Sequence, residues 1–403
     1  MRRIPRCSPV LGALLGASLV SLAAPLTAQT PAVARNARST FTGHVRTYYI
    51  AADELEWTYI PSRGDQAITG AKDDFSRDPA SRGELDPNAT TYRKALYREY
   101  TDASFKTLKP RSDAWAHLGM LGPVIRGEVG DTIKVVFRNQ ATRAYSMHPH
   151  GVFYRKSAEG LAYIDGTSGA DRMDDSVPPG KSHLYVWPVP ERAGPAHGDG
   201  SSVFWTYHSH VDEGKDVNAG LLGPLIITRR GMARADGSPR DVDREFVTQY
   251  GLVDETLSWY FRDNVERLYG GAKNYDSTDA KVRDFHHFFA INGYLEGNGP
   301  MLTMREGERV RWYVFAGLNE LNSWDIHTPH WHGQTVVAMH MRTDMIMLTP
   351  MMSSVADMVP DNPGIWLYHC HMPGHFGGGM YTRFQVLPRV AVSSSRSPSA
   401  PRP

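Results

Sequence analysis

Four histidine pairs along this chain each enclose a single residue: His148/His150, His208/His210, His330/His332 and His369/His371. Side chains i and i+2 of a strand point to one face, so each pair can present two imidazoles to the same side. Imidazole suits copper, zinc, iron and nickel, and four pairs in register exceed what incidental polar contacts would supply. The last pair encloses the cysteine Cys370. His375 and Met380 follow it at intervals of five, and His327 lies upstream. Two histidines, a thiolate and a weak axial methionine make a blue-copper electron-transfer site. Met380 as simple packing is the other reading; its place after Gly377, Gly378 and Gly379, in an open loop beside the cysteine, favours the ligand.

The cysteine count sharpens this. The chain has two cysteines, and Cys7 falls in a segment expected to be removed. Arg2, Arg3 and Arg6 precede an apolar run from Val10 to Leu26, and Thr27-Ala28 offers a small-residue cleavage site. Residues 1–28 read as a signal peptide, with export to the periplasm or beyond, by the general or the twin-arginine route. A membrane anchor is the alternative, but the run is at the short end for a span. Export leaves Cys370 as a lone thiol, which is then reactive, paired with another chain or metal-bound; its histidine neighbours favour the metal. Hydrophobic residues make up 41% of the 403-residue chain and charged residues 22%, at a formal net charge of +1. Those values suit a soluble protein and favour neither nucleic acid nor an anionic membrane as partner.

The elements that must position these residues read as strands. After Gly130, the run Asp131–Asn139 partly alternates polar and apolar residues, as does the run after Gly307. Each leads into a histidine motif, His148-Pro149-His150-Gly151 or His330-Trp331-His332-Gly333. Farther on, Trp205–His210 mirrors Trp366–His371. Helical periodicity is scarce, so the chain is expected to be all-β, two copies of a β-sandwich over 40–230 and 242–390. The polar stretch 229–240 is the candidate linker, and 391–403 is a disordered tail. Aligning the copies places Tyr145 opposite His327, Ser209 opposite Cys370, Gly214 opposite His375 and Ala219 opposite Met380. The first copy thus has no blue-copper ligands.

Together these motifs resemble the multicopper oxidase family: His369–His375 with Met380, His327–Gly333, His148–Gly151 and His208–His210. The stretches Tyr97–Asp102 and His117–Pro123 look like ceruloplasmin-type domains, and two domains match the laccase-like two-domain subgroup. The resemblance covers roughly 44–388. It implies two cupredoxin-like Greek-key β-sandwich domains and four coppers per chain. His327, Cys370, His375 and Met380 would bind type 1 copper, and His148 and His330 type 2. One type 3 copper would take His150, His208 and His371; the other would take His210, His332 and His369. Implied too are a phenolic, aromatic amine or metal-ion donor, dioxygen as acceptor, and a homotrimer in which neighbouring chains complete each cluster. Asp165 resembles the family's proton-donating acid, with an Asp-Gly turn as the other reading; Tyr154 is either a cluster neighbour or a packed aromatic. A copper nitrite reductase or a non-catalytic copper-sequestering protein are the competing functions. Seven methionines between Met339 and Met358 would suit either Cu(I) docking or adaptable core packing.

Overall fold

The computed structural model describes residues 43–389, apart from 63, 69–89, 271–275, 277 and 318–324. The expected signal peptide, with Cys7, and the expected tail at 391–403 lie outside the described residues.

Among the described residues, strands build four sheets, and none of these mixes strands from before and after residue 230. In the first half, one sheet runs Thr91–Tyr100, Val45–Thr58, Thr132–Asn139, Ser182–Pro188. The other runs Ile125–Glu128, Leu222–Thr228, Ser202–His208, His148–Pro149. The second half repeats the scheme with Arg244–Asp254, Val310–Ala316 and Ser353–Met358 in the one sheet. Its second sheet orders Leu302–Arg305, Tyr381–Leu387, Gly364–Cys370, Pro329–Trp331. Each half contains a parallel pairing, Val45–Ala52 on Thr132–Asn139 and Arg244–Tyr250 on Val310–Ala316. The crossovers this requires give the Greek-key, cupredoxin-like sandwich.

The two runs that alternate in sequence behave differently. Along Thr132–Asn139 every second residue is buried, with Ile133, Val135 and Phe137 facing the core. Val310–Ala316 is buried throughout, because its outer face is covered as well. Tyr313 and Phe315 pack with Phe204, Leu222 and Ile226 of the first half, the Phe204 and Phe315 rings 4.9 Å apart. Arg311, buried among them, donates to Ser201 and Ser202 Oγ at 2.9 and 2.8 Å and forms a fork with Asp357. The described residues accordingly form one compact unit. Phe315→Ala is expected to cost about 3–5 kcal/mol, read by denaturant unfolding; a loss below about 1 kcal/mol would show that this seam contributes little.

The polar stretch 229–240 is pinned down. Arg234 donates to the carbonyls of Pro239, Arg240 and Val242, and Arg229 to those of Ala196 and Gly200. Its polarity satisfies backbone acceptors that would otherwise need water. His117 also joins the halves, its Nε2 accepting the Val247 N–H at 3.1 Å while Asn292 donates to its carbonyl at 2.6 Å. Burial holds its pKa down at about 4, so the folded ring stays neutral where the unfolded ring would take a proton. Stability is therefore expected to fall as pH drops from about 6.5 to about 4, by on the order of 3 kcal/mol from His117. His117→Gln should flatten that slope in pH-dependent unfolding.

Candidate metal centres

The strand Gly364–Cys370 carries His369 and Cys370 to its end, and Pro329–Trp331 pairs with it so that His330 faces His369 and Pro329 faces Cys370. The short helix Pro373–Gly377 then brings His375 back over the cysteine. Cys370 Sγ lies 3.4 Å from His375 Nδ1 and 3.9 Å from His327 Nδ1, and these three ligand atoms form one metal-sized group. Met380 is fully buried in the same core cluster as Cys370, and its carbonyl accepts the Cys370 N–H at 3.1 Å. The Thr328 N–H donates to the sulfur at 3.3 Å. Burial acts to raise the Cys370 pKa, but His327 and His375 bring it down to about 6, so the sulfur is ready to act as a thiolate ligand.

Sequence reasoning missed Asp325. This carboxylate, 1% exposed, sits 3.1 Å from His327 Nε2 and 3.6 Å from His375 Nε2. It therefore holds the far edge of both rings whose near nitrogens face Cys370. Burial acts to lower the His327 pKa, yet Asp325 and Cys370 hold it up at about 9. The signal was present: Asp325 and His327 have the i, i+2 spacing of the histidine pairs.

The eight paired histidines gather as two quartets. In the first half, His148 pairs across strands with His208. His150 Nε2 approaches His208 Nε2 at 3.0 Å, and the His210 ring centroid lies 5.4 Å from that of His148. In the second half, His369 Nε2 lies 2.9 Å from His332 Nε2 and 3.3 Å from His330 Nδ1, and the His371 ring is 5.1 Å from His330. Among the described residues, no hydrogen bond or ring contact joins one quartet to the other. Both are open to the surface: His210 is 24% exposed, and His371 is exposed.

The donor set fits copper. His208 and His369 each place Nδ1 on a backbone carbonyl, of Ser209 at 3.1 Å and Cys370 at 2.9 Å. His148 does the same with Glu159 at 2.6 Å. That leaves the Nε2 lone pairs of His208 and His369 turned toward other imidazole nitrogens, an arrangement a cation relieves. Burial lowers the pKa of His208 to about 3 and of His150 and His369 to about 4. The rings therefore keep their lone pairs at neutral pH.

Two acids contact the quartets. Glu213 approaches His210 at 3.5 Å and His208 at 3.6 Å, and Asp344 approaches His330 at 3.5 Å. Glu213, three residues after His210, was legible as a neighbour; Asp344 comes from a separate strand turn. The structure sets Asp165 in a turn, where it accepts from Thr167 N and Oγ1 at 2.9 and 2.6 Å and pairs with Lys156 at 2.9 Å. Those bonds hold its carboxyl far below the usual range. Tyr154 lies against His148 with ring centroids 5.8 Å apart. It also lines an open cavity of about 320 Å³ with His148, His150 and Arg192.

Backbone hydrogen bonds correct the register of the repeat. Cys370 N donates to Met380 O and Met380 N to His375 O, at 3.1 and 3.0 Å; Ser209 N donates to Leu221 O and Leu221 N to Asp216 O, both at 3.1 Å. Leu221, not Ala219, thus stands in the place of Met380, and Asp216, not Gly214, in that of His375. The first connection is two residues longer between matched strand positions, as the pairs His208↔Leu222 and His369↔Tyr381 show. Tyr145 keeps its place opposite His327, each exchanging two backbone bonds with a facing residue, Val177 or Leu348.

Of the seven clustered methionines, Met339, Met341, Met345, Met347 and Met352 are exposed by 36–62%. Core packing therefore accounts for Met358, which is buried, and not for the group. Met345 bridges to His330, and His327 to Leu348, so this edge runs beside both centres.

Comparison with known proteins agrees with the geometry. Two family models described as multicopper oxidase match residues 99–231 and 271–390. The chain is 42% identical over 346 residues to human "Ferroxidase HEPHL1", covering 85% of this chain and 29% of that protein. It is 38% identical over 341 residues to rat ceruloplasmin, covering 84% and 31%. The chain thus spans less than a third of these relatives. Among solved structures, "Multicopper Oxidase mgLAC" matches with a TM-score of 0.54 at 17% identity, covering 87% of this chain and 90% of that one. The blue copper oxidase from Nitrosomonas europaea matches at 0.53 and 14%, covering 85% and 86%; at such identities the likeness speaks for the fold alone.

Proposed function

The chain belongs to the multicopper oxidase family, and from that premise we propose that it couples one-electron oxidation of a small donor to reduction of dioxygen to water. The observation that carries this reading is the strand end His369-Cys370-His371, where the thiol faces His375 and His327 while its neighbours enter a histidine quartet. Copper, when bound, supplies the one-electron couple and the oxygen-binding cluster. His327, Cys370, His375 and Met380 would hold type 1 copper; His148 and His330 type 2; His150, His208 and His371, and His210, His332 and His369, the type 3 pair. The peptide bonds around Cys370 make the shortest covalent link between the donor side and the oxygen side. His375, 15% exposed beside the fully buried His327, is the edge at which a donor meets the site.

The donor we favour is a reduced metal ion, ferrous ion first, supported by the name of the ferroxidase relative; phenols and aromatic amines are the other class. Asp325 tunes the centre, its negative charge behind both rings strengthening them as ligands. Asp325→Asn is expected to weaken type 1 copper retention about tenfold and to raise its potential, read by chelator competition and redox titration. An unchanged potential would remove Asp325 from that role.

Proton supply we assign to Glu213 in preference to Asp165, because it reaches two quartet rings while Asp165 is held ionised by Thr167 and Lys156. Glu213→Gln should slow oxygen reduction about a hundredfold or more, more severely at higher pH, whereas Asp165→Asn should not. The reverse ranking would restore Asp165.

The working assembly we infer is a homotrimer of two-domain chains, with domains at 40–230 and 242–390, exported to the periplasm or secreted. The lack of any contact between the quartets among the described residues, and their open faces, support completion by a neighbouring chain. Among the described residues, no helix is long and apolar enough to cross a membrane. Copper per chain, with oxygen uptake on ferrous ion, Cu(I) and a phenol, tests the function. Uptake with about four coppers supports the oxidase; tight copper without uptake supports sequestration, and nitrite reduction without uptake the reductase.

A further inference from the structure

The first half keeps the outline of a blue-copper site without its metal ligands. Four matched contacts put Tyr145, Ser209, Asp216 and Leu221 where the second half has His327, Cys370, His375 and Met380. The match extends to the amide behind the central atom: Ser146 N donates to Ser209 Oγ at 3.1 Å as Thr328 N donates to Cys370 Sγ at 3.3 Å. In the second half, a metal bound by Cys370 and His375 would tie the strand end to the following helix. It would thereby hold His369 and His371 on either side of the cysteine.

The first half reaches the same end by hydrogen bonds. Asp216 Oδ2 accepts from Ser209 Oγ at 2.6 Å and from the Val211 and Asp212 amides, both at 3.1 Å. Its Oδ1 accepts from Trp259 Nε1 at 2.8 Å. Ser146 Oγ accepts the His210 N–H at 3.0 Å. Ser146, Ser209 and Asp216 are all fully buried. One carboxylate thus grips residues 209, 211 and 212, immediately around His210, and meets four donors, which an ionised acid satisfies and an amide cannot.

We propose that Asp216 is a positioning residue for the histidine quartet: its carboxylate does in the first half what the bound metal does in the second. It aims His208 and His210 at the two type 3 coppers, each of which is shared with the other quartet. This rests on the oxidase reading above. Asp216→Asn keeps the shape but turns an N–H toward the carboxylate's former donors, so the loop around His210 must shift. Asp216 bonds to Ser209, Val211, Asp212 and Trp259, whereas the Cys370 sulfur is met by Thr328, His327 and His375, so type 1 copper should be untouched.

The test is copper content of the full-length protein after dialysis against a graded chelator, with the blue absorption and the type 2 paramagnetic signal recorded on the same samples. Asp216→Asn is expected to lose the quartet-bound coppers at about tenfold or more lower chelator strength, with the blue absorption per chain unchanged. Ser209→Ala, which removes one of the four donors, should shift the loss in the same direction by less, and decides the matter if Asp216→Asn does not fold. Equal copper retention in both variants and the parent would overturn the proposal, as would a parallel loss of blue copper, which marks a general loosening. A parent protein that never takes up the quartet coppers would instead overturn the oxidase reading itself.

Discussion

Cys370→Ser is expected to abolish the blue absorption and bring oxygen uptake to background, while the quartets still take up copper but release it at lower chelator strength, because no metal then ties the strand end to the helix after it. The expectation follows from where Cys370 stands. Its sulfur is buried, faces His375 at 3.4 Å and His327 at 3.9 Å, and stands at the end of a strand with a quartet histidine on either side in sequence. A serine hydroxyl is a hard, neutral donor that cannot replace a thiolate for this chemistry. The quartet rings, by contrast, are oriented by carbonyls and by one another, contacts that the substitution would leave in place. Metal analysis with optical and paramagnetic spectra separates the outcomes. Retained blue colour would sink the ligand assignment, and loss of all copper would show that the two centres are not independent.

Mixing two inactive chains should restore turnover. One chain would carry His148→Ala with His150→Ala, the other His330→Ala with His332→Ala; each alone is expected to be inactive. If a cluster forms between the first half of one chain and the second half of its neighbour, random mixing makes about a quarter of the clusters whole. Oxygen uptake of coexpressed chains should then recover to about a quarter of the parent rate. Adding Cys370→Ser to the chain with the intact second quartet should remove that recovery, and adding it to the other chain should not. No recovery at any mixing ratio would mean that both quartets of a cluster come from one chain.

Most of the metal chemistry was legible in the sequence because ligands declare themselves by type and short spacing. An i, i+2 histidine pair on a strand has one geometric meaning, and Cys370 between two histidines has few others. The β-sandwich pattern and the repeat were legible for the same reason, since period-two alternation and paired motifs are local. Where the sequence reading slipped, longer-range geometry was decisive. Val310–Ala316 reads as a half-buried strand, but the other half of the chain covers its outer face. The repeat reads at constant offset, but a longer connection moves Asp216 into the place of His375. Asp325 and Glu213 lie at short spacing from their histidines, but only the fold sets them and Asp344 against imidazoles, and the exposed methionine edge beside His330 depends on strand pairing alone. Side-chain type and spacing along a strand therefore determined which metal chemistry this protein is equipped for. Only the tertiary structure decided which charges surround the ligands and which histidines gather into each quartet, because both depend on contacts between residues far separated in the chain.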